Sequence, residues 1–127
     1  MQHVRDTIKP VLLDRNGIFK YIQIRLTLSA GDGSDSYVIV RGSADCAFHA
    51  DALAKFHIEL ENQGLSQDID AECPGGGRVN VNEANKSIQI YGYSQGFGRA
   101  NHAQSKEIID GSGQYEGYTV TWSNEGY

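Results

Sequence analysis

One histidine in this 127-residue chain sits where residue type and spacing together suggest chemistry. Leu53, Phe56 and Leu60 recur at helical spacing and mark an inward face, and four residues before Leu53 comes His49. That places an imidazole on the core-facing side of a helix's first turn, where unpaired N–H groups carry a partial positive charge. The environment disfavours imidazolium and leaves a neutral ring able to take a proton or attack an electrophile. The same N–H groups attract anions. A neutral histidine beside an anion site is apparatus for phosphoryl transfer; read alone, His49 fits equally well a polar side chain that helps to cap a helix.

Other stretches could supply the anion site. From Ile18 to Leu28 the even positions are apolar except Lys20, so alternation puts an ammonium on an apolar face, where it needs a partner, a cleft or a route to solvent. Gly92 to Gly98 is a glycine-punctuated loop containing Ser94. Successive backbone N–H groups in such a loop can converge on an oxyanion, but an ordinary connecting loop has the same composition. Its glycine spacing is neither a Walker loop nor a dinucleotide fingerprint. In Pro74-Gly-Gly-Gly-Arg78, three adjacent glycines imply a tight turn or a close approach, and Arg78 suits either an anion or an acidic partner. His3, His49, His57 and His102 show no zinc-ligand spacing, so no metal site is expected, and there is no GxSxG nucleophile elbow.

The elements that position these residues can be read in outline. The length argues for one domain spanning 1–127. The first nine residues are polar and expected to be loosely held. Val11–Leu13 reads as a strand, joined through the hairpin signal Asn16-Gly17 to the strand Ile18–Leu28. Gly31–Ser36 is expected to be a mobile loop, and Tyr37–Arg41 is a strand running into the His49 helix, which Gly64 ends. Ile69 to Cys73 alternates as a strand that Pro74–Gly77 breaks; Val79 and Val81 resume it, and Ser87–Tyr93 returns as a hairpin. A helix is expected over about Ala103–Ile109, with Asn101 and Gln104 at capping-box spacing, and Tyr118–Trp122 is the last strand. The order β, β, β, α, β, β, β, α, β indicates an α/β fold of the α+β type, a mixed but mostly antiparallel sheet flanked by two helices.

Composition narrows the partners. The formal net charge is −5, the opposite of the basic footprint that binds nucleic acid or anionic membranes. No apolar run approaches a membrane span, and the N-terminus has no secretory h-region. Cys46 and Cys73 therefore read as reduced thiols of a cytoplasmic, monomeric protein.

Several stretches combine into a specific pattern: Gly17-Ile-Phe-Lys20-Tyr-Ile-Gln-Ile-Arg25, Val40-Arg41-Gly42, Phe48-His49-Ala50-Asp51, Glu72-Cys73-Pro-Gly-Gly-Gly-Arg78, Tyr91-Gly92-Tyr93-Ser94 with Phe97-Gly98 and His102-Ala103, and Val120-Thr-Trp-Ser-Asn-Glu-Gly-Tyr127. In this order and spacing they resemble the phosphohistidine phosphatases of the Janus/ocnus family over almost the whole chain. The resemblance implies a mixed sheet with a helix on either side. It implies a hydrolase, without metal or cofactor, that removes phosphate from phosphohistidine in proteins and from phospholysine. It places His49 on the catalytic histidine and Lys20 on a substrate-binding lysine. Ser94, Gln95 and Gly96 fall on the phosphate-holding loop, with the amide of Tyr93 beside it, and Arg41 and Arg78 on basic residues near the site. The chain departs from the pattern at Arg99, where a proline often stands, and at the more polar Gln95-Gly96 pair. A non-catalytic module that binds phosphorylated segments is the competing expectation.

Overall fold

In the computed structural model the described residues are 2–31 and 35–126. They form α1 (Gln2–Thr7), β1 (Val11–Leu13), β2 (Gly17–Leu28), β3 (Ser36–Gly42), α2 (His49–Asn62), β4 (Ile69–Asn82), β5 (Ser87–Tyr91), α3 (His102–Gly111) and β6 (Thr119–Trp122). The strands make one sheet in the order β1-β3-β2-β4-β5-β6. β2 is antiparallel to β3 and β4, and β4 to β5, while β1–β3 and β5–β6 are parallel.

β2 is central because both its faces are apolar. Its even positions Ile22, Ile24 and Leu26 pack with Ile39 beneath Phe56 and Leu60 of α2. Its odd positions Phe19 and Tyr21 pack with Val79, Ile88 and Ile90 beneath Ile109 of α3. The sheet thus separates two cores, one helix covering each, as its alternation requires.

Three expectations are corrected. The N-terminal residues are not loosely held: Val4 in α1 and Ile8 just past its end are 0% and 1% exposed and join the α2-side core. Asp14–Gly17 does not close a hairpin, since β1 pairs with β3 in the register Val11↔Val40. Its polar side chains reach other loops instead: Asp14 Oδ2 accepts from the Ala44 N–H at 2.7 Å and Asn16 Oδ1 from the Glu83 N–H at 3.0 Å. The glycines of Pro74–Gly77 do not break a strand but lie inside β4. The register against β2 slips from Gln23↔Gly75 to Arg25↔Glu72, so β4 takes up one extra residue as a bulge around Pro74, where a strand tolerates proline. The loop expected at 31–36 falls in part on 32–34, outside the described residues.

The glycines have a packing reason. A Cβ on Gly75 would lie 2.6 Å from the Ala100 nitrogen, and one on Gly76 2.8 Å from Cδ2 of His49. One on Gly77 would lie 2.4 Å from the Tyr91 oxygen and 2.7 Å from Cε1 of His102. Gly77→Ala is therefore expected to force β4 away from β5 and to cost about 1–3 kcal/mol, as overpacking does. The measurement is a lower urea midpoint at unchanged m.

Candidate active site

His49 is the first residue of α2 and is 9% exposed. Its inward position follows from the stripe that also buries Ala52, Phe56 and Leu60. Phe48, the N-cap, has no side-chain acceptor; Asp51 takes the Phe48 N–H at 2.8 Å. Among the described residues no protein acceptor meets the N–H groups of His49 and Ala50, the orphan donors of a helix start.

The Nε2 of His49 lies 2.9 Å from the Gly77 carbonyl. A carbonyl only accepts, so Nε2 carries the hydrogen and Nδ1 keeps its lone pair. Burial holds the imidazole pKa below its usual value; the Gly77 carbonyl opposes this, and the charges of Lys20 and Arg78 add to it. His49 is thus a neutral imidazole with one nitrogen, Nδ1, that keeps a lone pair able to take a proton or attack an electrophile.

Lys20 and Arg78 are directly opposite each other on β2 and β4. Like charges facing across strands destabilise a sheet. Neither has an ion-pair or hydrogen-bond partner among the described residues, although the chain carries 16 acidic residues. Both line a cleft of about 860 Å³ together with His49, Tyr93, Ser94, Gln95 and Gly96. Two uncompensated cations thus stand beside a neutral imidazole, an arrangement whose chemistry suits a doubly charged anion.

The loop after β5 completes the cleft. Ser94 and Gly98 exchange two backbone hydrogen bonds, 3.0 and 2.8 Å, closing a three-residue turn over Gln95-Gly96-Phe97, with Gly98 at φ +85°. Ser94, 2% exposed, accepts the Phe97 N–H on its oxygen at 3.1 Å and keeps its own hydroxyl hydrogen to donate. The Gln95 and Gly96 N–H groups have no protein acceptor among the described residues. The turn is fixed to β4, since Gly98 O accepts from Gly76 N and Gly76 O from Ala100 N, each at 3.0 Å.

Beneath the loop lies a network that sequence reading gave no role. His102 Nε2 is 2.7 Å from Gly92 O, so it too donates, and its Nδ1 accepts from the Tyr21 hydroxyl at 2.6 Å. The Tyr21 oxygen is 3.0 Å from Ser105 Oγ, which in turn takes an N–H of Gln23 at 2.9 Å. Every donor direction follows from the two ends. The chain anchors Gly92, the root of the loop, at φ +76°. The available signal was the spacing His102, Ser105, Ile109, an inner helix face like that of His49.

Arg41 is not brought to this cleft. It is 4% exposed, grips Glu59 through Nε and Nη2 at 3.0 and 2.9 Å, and donates to the carbonyls of Val40 and Lys9. It ties α2 to β3 and to the residues leading into β1. Among the described residues no group of three or more metal-ligand side chains is found.

A sequence model of the Janus/Ocnus family (Ocnus) matches residues 5–119. The chain belongs to the Janus/Ocnus family. It is 44% identical over 117 residues to the sex-regulated protein janus-A of Drosophila melanogaster, covering 92% of this chain and 80% of that protein. It is 41% identical over 123 residues to the 14 kDa phosphohistidine phosphatase of Sus scrofa, covering 94% and 93%. With 42% identity over 117 residues, the janus-A protein of Drosophila pseudoobscura pseudoobscura is a third relative, covering 91% and 74%. The cleft of this Janus/Ocnus member thus lies within the matched span.

His102, like His49, is held below the usual imidazole pKa chiefly by burial. Both folded-state values lie under the unfolded value of about 6.5. Below that value the unfolded chain binds more protons, so stability should be flat above about pH 6.5 and fall as pH drops through the folded values. Urea midpoints at pH 7.5, 6 and 5 check this, and the decline should be shallower in His49→Gln.

Proposed function

We propose that this protein is a protein phosphohistidine phosphatase that hydrolyses the P–N bond of phosphohistidine, and of phospholysine, without a metal ion. The observation that carries the reading is the opposed, unpartnered pair Lys20 and Arg78 beside a neutral His49 whose Nδ1 is open. The activity in the name of the Sus scrofa relative supports it.

Phosphoryl transfer needs mainly positioning and charge stabilisation. In this reading the phosphoryl oxygens take the N–H groups of Gln95 and Gly96 and the Ser94 hydroxyl, with the Tyr93 amide beside them, while Lys20 and Arg78 offset their charge. Two routes remain for His49. As a general base, Nδ1 takes a proton from a water that attacks phosphorus in line, the P–N electron pair leaves on the substrate nitrogen, and that nitrogen takes up a proton from solvent while His49 gives its own back to solvent. As a nucleophile, Nδ1 forms its own bond to phosphorus as the substrate P–N bond breaks, the departing substrate nitrogen keeping the electron pair and taking a proton from solvent; water then cleaves the phosphorus–Nδ1 bond, releasing phosphate and neutral His49. In both, the donor to Gly77 keeps Nε2 out of the reaction.

We take the protein to act as a monomer. We place it in the cytoplasm: Cys46 and Cys73 are free thiols, and no helix of the described residues is long and apolar enough to cross a membrane. The negative net charge argues against nucleic acid or anionic membrane as partner. A module that only binds phosphorylated segments would need the cations and amides but no oriented, neutral His49.

Incubating the protein with a histidine-phosphorylated peptide in EDTA and measuring free phosphate tests the reading. Turnover should be unaffected by the chelator, and His49→Ala should lower kcat by at least ~10²-fold while remaining folded. A folded His49→Ala within threefold of wild type, or loss of wild-type activity in EDTA, would refute it.

The rate should also depend on pH in one direction. His49 must be neutral and its pKa in the free enzyme is depressed, so kcat/KM should rise from acid pH with a midpoint below about 6.5 and then level off. Bound phosphoryl dianion favours imidazolium, so the kcat midpoint should lie higher than that of kcat/KM. A rate falling steadily from pH 6 to 8 would contradict this use of His49.

A further inference from the structure

Phe48 breaks two local rules at once. It occupies the N-cap of α2, where Ser, Thr, Asp or Asn supplies a side-chain acceptor, and it supplies none. It is also 71% exposed, more than any other large hydrophobic residue among those described. Such departures concentrate at functional sites. Phe48 immediately precedes His49 and lines the same cleft, as do Tyr93, 38% exposed, and Phe97. The cleft therefore combines unpartnered cations and amides with an aromatic rim. Free phosphate has no use for such a rim. A protein segment carrying its phosphoryl group on one side chain and an apolar group on the next does.

We propose that Phe48, with Tyr93 and Phe97, forms a subsite for an apolar or aromatic side chain adjacent to the phosphohistidine, so that Phe48 sets sequence preference. The inference rests on the phosphohistidine phosphatase reading. The occupant is a protein segment because the cation pair and loop amides match its phosphoryl group while the rim matches its neighbour. The missing cap serves the same end: a serine at this position would draw a first-turn N–H to itself, whereas phenylalanine leaves those of His49 and Ala50 open to the incoming anion.

The test uses synthetic peptides phosphorylated on a single histidine, with Phe or Gly placed in turn on either side of it. Wild-type protein should favour a Phe-flanked peptide by roughly tenfold in kcat/KM, the scale of one good apolar contact, mainly through KM. Phe48→Ala should bring the ratio close to one. Phe48→Ser should do the same while raising Tm, because it restores the N-cap acceptor. The peptides are also titrated against His49→Ala, whose slow turnover allows a Kd to be read. A wild type that hydrolyses no peptide would refute the phosphatase reading, whereas the Kd ratio of Phe- to Gly-flanked peptides would still decide the subsite. Ratios within twofold for wild type and His49→Ala, or a preference that survives in Phe48→Ala and Phe48→Ser, would overturn the proposal.

Discussion

The site depends on three consecutive residues of a central strand having no side chains. Over Gly75 runs the Arg99–Ala100 backbone, over Gly76 sits the His49 ring, and against Gly77 lie the Tyr91 carbonyl and the His102 ring. A single methyl at any of these positions would meet an atom 2.4–2.8 Å away. Glycine inside a strand costs backbone entropy and weakens it. Here the glycines pair with β2 on one side, Gly76 bridges to Arg99 on the other, and β5 pairs with β4 from Arg78 onward, so the sheet can carry the cost. What it gains is a bare backbone against which both helix starts and the anion loop can seat. The Gly77 carbonyl then selects the His49 tautomer, and Gly76 holds the loop through both its N–H and its carbonyl.

Two histidines begin two helices on opposite faces of this backbone, and their environments are alike to a point. Each is buried, each donates from Nε2 to a backbone carbonyl, and each has its pKa lowered mainly by burial. Nδ1 separates them. In His102 it accepts from Tyr21, whose hydroxyl oxygen accepts from Ser105, which in turn accepts from Gln23. A ring with both nitrogens satisfied cannot take a further proton without breaking a buried network, so it serves as a rigid anchor. His49 has no such partner and opens on the cleft beside Lys20 and Arg78. Burial confers neutrality on both rings; only the unfilled Nδ1 makes one of them reactive.

How much of this the sequence showed depends on the range of the cause. His49 and Lys20 were legible because periodicity fixes which face a side chain takes, and the Asn101 cap because its acceptor serves the Gln104 N–H three residues away. The N-terminal helix was missed since two buried residues, Val4 and Ile8, are too few to make a periodic signal. β1 was paired wrongly because Asn-Gly is a local hairpin cue, while the polar groups of that turn are taken by Ala44 and Glu83, far along the chain. Glycines within a strand read as a break, because the contacts that require them come from residues 14 or more positions away. Arg41 carries the same motif resemblance as Arg78, yet only tertiary packing separates an arginine closed by Glu59 from one left open. Lys20 facing Arg78 could not be read either, since it needs the register of β2 on β4.

That register also bears on how an acidic protein captures an anion. With a net charge of −5 the long-range field repels a phosphoryl group, so attraction must come from a few groups at close range. Acidic residues at the cleft would cancel it, and the nearby one is turned aside: Asp51, in the first turn of α2, gives its carboxylate to the Phe48 N–H, one residue before the open donors of His49 and Ala50. The helix start is thus stabilised from outside while its inner N–H groups stay available. Lys20 and Arg78 keep their mutual repulsion until an anion lies between them, and a doubly charged group relieves more of it than a singly charged one. The positive charges of Lys20 and Arg78 add to burial in lowering the proton affinity of His49, so in the proposed function the cations that would bind the phosphoryl group also help to keep the imidazole neutral.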